Sequence, residues 1–129
     1  MAKYIRVYSS FSVRDLKRAK EFYGQTLGFE VNERPEGLDL VAEGVRIFIY
    51  LSPKNKPADF TVLNLVVQDT EQAVDELSGK GVVMEHYELP GLKTDEKGIV
   101  RRDADHAMAW FKDPDGNIIA LSQKSRVGS

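Results

Sequence analysis

A chain of 129 residues, 42% hydrophobic and 29% charged, can bury a core and has the length of one ordinary domain, which excludes global disorder. The 18 basic and 20 acidic side chains leave a net charge of −2, without the excess of basic charge that a nucleic-acid partner calls for. The absence of cysteine removes a disulfide framework, a thiolate metal site and a cysteine nucleophile. The opening Met-Ala-Lys-Tyr-Ile-Arg has no apolar signal-peptide core, and no apolar run approaches the ~18–20 residues that span a bilayer. The expectation is a cytoplasmic protein with neither nucleic acid nor membrane as a partner.

Residues 4–13 alternate and are β-rich, which predicts a strand. Asp15 offers an N-cap carboxylate, and Leu16, Ala19, Phe22, Tyr23 and Leu27 follow at helical spacing. Gly28 suits the position after the helix. A second strand starts at Phe29–Asn32, a third covers Leu38–Ala42 and a fourth Val45–Leu51, with Pro-Glu-Gly and Glu-Gly as turns.

The plan then repeats. Asp59–Val67 reads as a strand, Asp69 as a cap, and Ala73, Val74 and Leu77 as a helix stripe. Gly81 ends that helix, and Val82–Tyr87 is expected to begin the next strand. Val13, Asp15 and Ala19 answer Val67, Asp69 and Ala73, and Leu27-Gly28-Phe29 answers Lys80-Gly81-Val82 after one deletion. Matched caps in the same order describe one β-α-β-β-β unit duplicated. Module one covers about residues 4–52 and module two about 58–123, within a single domain of residues 1–129. Between Leu89 and Ala107 lies an extra segment rich in glycine and charge, read as a surface excursion ending in a return strand. It is either a lid or a solvated connection. Met108–Lys112 and Asn117–Gln123 flank the turn Asp113-Pro114-Asp115-Gly116, a hairpin. Residues 126–129 read as a frayed tail.

Val13-Arg14-Asp15-Leu16, Glu21-Phe22-Tyr23 and Leu27-Gly28-Phe29 resemble the first-module signature of the glyoxalase/bleomycin-resistance/extradiol dioxygenase superfamily, also called vicinal oxygen chelate. Ala109 to Asn117 resembles its final hairpin. The resemblance runs from about Tyr4 to Ser122. It implies an α+β fold of two tandem modules, with curved mixed sheets around a cavity, helices outside, and often a homodimer. Metal-dependent members take a His or Gln, a Glu, a His and a Glu from four strands, a set suited to a Lewis-acidic divalent ion. Here those positions fall on Tyr8, Tyr50, Val62 and Ala120. Valine and alanine cannot ligate and neutral tyrosine is a poor ligand, so no metal is expected and the catalytic residues are unknown; a divalent metal at an atypical site is the alternative. His86 and His106 lie in or beside the excursion. Asp103, Asp105 and His106 allow a displaced metal site, His106 alone allows a general base, and a solvated turn is the plainer reading.

Strand alternation from those vacant positions puts Ser10, Ser12, Asn64, Val66, Phe48 and Arg46 on the cavity face. The resemblance adds Met108 and Trp110. Phe11, Leu63, Leu65, Phe111, Ile119 and Leu121 would then be core. Tyr8, Phe48, Tyr50, Met108 and Trp110 with Ser10, Asn64 and Arg46 make an apolar site with a few polar groups, suited to a planar or aromatic small molecule. A superfamily lyase, isomerase or dioxygenase with an atypical site is the first alternative. A structural dimer with a vestigial pocket is the second.

Overall fold

In the computed structural model, which describes residues 3–103 and 105–124, each half of the chain opens on a strand, a capped helix and a glycine turn. The first half runs β1 (Ser9–Val13), α1 (Leu16–Glu21), a π-helical segment (Phe22–Thr26), β2 (Glu30–Arg34), β3 (Gly37–Ala42) and β4 (Val45–Leu51). The second runs β5 (Thr61–Val67), α2 (Thr70–Gly79), a small hairpin of β6 (Glu88–Leu89) and β7 (Leu92–Lys93), then β8 (Ile99–Asp103), β9 (His106–Lys112) and β10 (Ile118–Gln123). The chain divides into two compact units on either side of Pro57 and Ala58.

The caps show why the same plan recurs. Asp15 is extended at φ −147° and ψ 105°, and its carboxylate accepts from the Arg18 N–H at 3.0 Å. Asp69, at φ −144° and ψ 111°, accepts from the Gln72 N–H at 3.3 Å. Each carboxylate satisfies a backbone donor that the first helical turn leaves open. At the other ends Gly28 and Gly81 adopt φ 83° and 91°, a left-handed conformation costly for any residue with a Cβ.

The two four-stranded sheets have matching orders, β1-β4-β3-β2 and β5-β10-β9-β8. In each, the first and last strands pair in parallel and the others antiparallel. Phe11 pairs with Ile49 in one sheet, and Leu65 with Leu121 in the other. Under the first sheet Phe11, Val13, Ala19, Tyr23, Leu38, Leu40 and Ile49 are buried; in the second unit the core includes Leu63, Val74, Met84, Ile99, Phe111, Ile119 and Leu121. Leu65, expected as core, is half-buried. The turn after β9 is held by Asp113, whose carboxylate accepts from the Asp115 and Asn117 N–H groups at 2.9 and 2.8 Å. The Asn117 amide donates to the same carboxylate at 3.0 Å.

Three expectations are corrected. The first strand starts at Ser9, not residue 4, and Tyr4, Ile5 and Val7 are exposed. The first helix is α-helical only to Glu21; Leu27 N–H reaches back five residues to the Phe22 carbonyl at 3.0 Å. Val82–Tyr87 does not form a strand: only Met84 bridges, to Phe111, and β8 occupies the edge of the sheet instead. The tail at 126–129 lies outside the described residues. No described helix is long and apolar enough to cross a membrane.

Candidate functional site

One face of the first sheet carries an ion-paired cluster. Its register brings Ser10, Arg34, Gly37, Asp39, Arg46, Phe48 and Tyr50 to the same side. Asp39 is buried, and Arg34 Nε donates to its Oδ2 at 2.6 Å while Arg46 Nε donates to its Oδ1 at 2.8 Å. Burial raises the Asp39 carboxyl and the two guanidiniums lower it, with the net result below its ordinary value of 3.8. The Arg46 guanidinium also stands 4.4 Å from the centre of the Tyr8 ring. Phe48 and Tyr50 stack with centroids 6.5 Å apart and planes at 19°. A Cβ at Gly37 would sit 2.1 Å from the Ile49 carbonyl oxygen and 2.9 Å from the Phe48 ring, so glycine is required there. The two guanidiniums outnumber the one carboxylate they hold beside two stacked rings, and Glu30, on the same side of β2, balances the charge of the face as a whole.

The second unit holds a pocket of about 240 Å³ lined by Leu92, Val100, Arg102, His106, Met108 and Trp110, with Ala107, Ser122 and Gln123. Trp110 meets the Tyr87 ring edge-on at 5.6 Å. Burial, aided by the nearby Glu85 charge, pushes the Tyr87 hydroxyl above its ordinary value. The excursion builds part of this wall. Its hairpin carries Leu92, and Thr94 closes it, with Oγ1 accepting from the Tyr87 N–H at 2.9 Å. Lys97 and Arg101 pair with Glu71 on α2, and Lys97 reaches Asp75 at 3.1 Å, tying the return strand to the helix.

The two histidines differ in setting. His86 Nε2 lies 3.1 Å from the Glu96 carbonyl oxygen, a contact that holds the excursion. His106 Nδ1 lies 2.8 and 2.9 Å from the two carboxylate oxygens of Asp103. The Asp105 N–H and the His106 ring hold the Asp103 carboxyl below its ordinary value. Among the described residues no group of three or more histidine or acidic side chains is arranged to hold a metal ion.

The site residues expected from sequence thus fall into separate places. Met108 and Trp110 line the module-two pocket; Tyr8, Ser10, Arg46, Phe48 and Tyr50 belong to the first unit. Asn64 is exposed on β5 beside the buried Ala120, outside the pocket lining. The duplicated register makes Phe48 the counterpart of Ala120, since Ser10 pairs with Phe48 as Asn64 pairs with Ala120. Asp39, Arg34, Arg102 and Leu92 were not anticipated. An acidic residue within Leu-Asp-Leu, in register with β4, was the available signal for the first.

A family model for the Glyoxalase/Bleomycin resistance protein/Dioxygenase superfamily matches residues 7–121. The chain belongs to this superfamily. Among solved structures it is similar to a putative glyoxalase family protein from Bacillus anthracis, at 21% identity and TM-score 0.69, over 97% of this chain and 100% of that one. The fosfomycin resistance protein FosX from Listeria monocytogenes matches at 15% identity and TM-score 0.69, over 98% of both chains. TnmS3, an antibiotic binding protein from Streptomyces sp. CB03234, matches at 26% identity and TM-score 0.66, over 96% of this chain and 100% of that one. No curated protein sequence matches significantly.

Proposed function

We propose that this superfamily member is a metal-independent binding protein that holds a planar or aromatic small molecule. The observation that carries the reading is the pocket walled by Leu92, Val100, Met108 and Trp110. Its volume of about 240 Å³ is below the usual range for drug-sized ligands, which favours a molecule of about one or two rings. The likeness to an antibiotic binding protein supports binding rather than turnover. The donor chemistry supports metal independence: Val62 and Ala120 have no ligating atom, and a guanidinium, itself a cation, covers the Tyr8 ring.

The reading includes a homodimer, supported by apolar side chains exposed on strands of both units, among them Tyr50, Leu51 and Val66. It also includes a cytoplasmic location, supported by the cysteine-free composition. Metal analysis and a small-molecule thermal-shift screen on one sample test it. The expected result is no stoichiometric metal, a stabilising aromatic hit that changes Trp110 fluorescence, and loss of that shift in a folded Trp110→Ala variant. Stoichiometric Ni, Zn, Mn or Fe overturns the reading in favour of a superfamily lyase, isomerase or dioxygenase. A screen without any hit favours a structural dimer.

A further inference from the structure

The rim of the module-two pocket is chemically more specific than its apolar wall. His106 Nδ1 faces both oxygens of Asp103, at 2.8 and 2.9 Å. A carboxylate offers only lone pairs, so Nδ1 carries the proton, and Nε2 of the neutral ring is left as an acceptor. Arg102, which forms no ion pair with another described residue, lines the same pocket. A proton acceptor and a cation beside an apolar wall match a flat molecule bearing an ionisable hydroxyl.

We propose that module two binds hydroxyaromatic compounds, with His106 Nε2 taking the hydroxyl proton and Arg102 pairing the oxyanion. This rests on the reading that the pocket is the ligand site. In the step the ligand O–H bond breaks, its electron pair stays on oxygen, and the proton forms an N–H bond at Nε2. No further reactant is needed. The resulting imidazolium is flanked by the Asp103 carboxylate, whose negative charge favours the protonated ring. The charged groups around it are Asp103 and Arg102 from β8 and Asp105 from the turn. The competing role is purely structural: Asp103 also accepts from the Asp105 N–H at 2.8 Å, which closes the β8–β9 turn.

The two roles separate with a matched pair of probes, 4-nitrophenol and its methyl ether 4-nitroanisole, measured by equilibrium dialysis. The pH is set at the pKa of the phenol, which lies above the ordinary histidine value of about 6.5, so that about half of the free probe keeps its proton. The phenol is expected to bind at least about tenfold tighter than the ether and to show the phenolate absorption band when bound. His106→Gln should abolish the band and bring the phenol down to the affinity that the same variant has for the ether. Asp103→Asn, which keeps the ring but frees its tautomer, should weaken the phenol alone. A structural turn role would weaken both probes together, and that result overturns the inference. Equal binding of both probes without a phenolate band overturns it too, while leaving the pocket reading intact. Binding of neither probe overturns both.

Discussion

The two modules share a frame and differ in what their sheets display. In module one the face is polar at its centre: Asp39 is buried between Arg34 and Arg46, and aromatic rings lie beside them. In module two the corresponding strands carry Val62, Asn64, Ala120 and Trp110, and the charges lie towards the strand ends, Arg102, Asp103 and His106 at one and Lys112 with Glu85 at the other. The caps, glycine turns and strand order are common to both, while register shifts occur only in the second sheet. A duplicated scaffold keeps the residues that satisfy its backbone and bury its core, and leaves the other face of each sheet free to diverge.

This contrast can be broken or sharpened by substitution. The largest effect is expected at the shared core. Phe111→Ala, at a fully buried ring in module two, should cost about 3–5 kcal/mol in chemical denaturation. A loss below about 1 kcal/mol would mean that the second core is not packed as described.

Gly37→Ala comes next. It forces a methyl group against the Ile49 carbonyl, so β3 or β4 must shift, at a cost of about 1–3 kcal/mol or more. A neutral outcome in a thermal melt would show that the close approach of these strands is not real.

Asp39→Asn tests the charged centre of module one. Both arginines are partly exposed and rehydrate when the carboxylate is lost, which limits the expected cost to about 1–2 kcal/mol at neutral pH. The folded carboxyl titrates below its ordinary 3.8, so its contribution is complete above that value and fades as pH falls through the folded pKa. The stability gap between wild type and variant should therefore close in acid. A gap that persists well below pH 3.8 would assign the effect to packing rather than charge.

The smallest effects are at the caps. Asp15→Ala and Asp69→Ala should each cost about 1 kcal/mol, and by similar amounts, because both carboxylates satisfy the third backbone donor beyond them. Unequal losses would weaken the equivalence of the two modules.

The duplicated plan was legible because caps, glycine turns and strand alternation are local. Asp15, Asp69, Gly28 and Gly81 do in the structure what their residue types predict. The same alternation separated Phe11, Phe111, Ile119 and Leu121, all buried, from the opposite face. Val82–Tyr87 misled because its β-branched pair reads as a strand, whereas pairing partners decide strand formation. Ile99–Asp103 pairs with β9 and takes the edge position.

The sequence by itself determined the module, its repetition and the residue types available to each sheet face. Tertiary structure decided which of those residues meet. Asp39 joins Arg34 and Arg46 only because three strands pair in one register, and His106 reaches Asp103 only across the β8–β9 turn. Leu92 joins Trp110 in a pocket because the excursion folds into its own hairpin. Such meetings depend on long-range register and loop closure, which hydrophobic periodicity along a single segment does not encode.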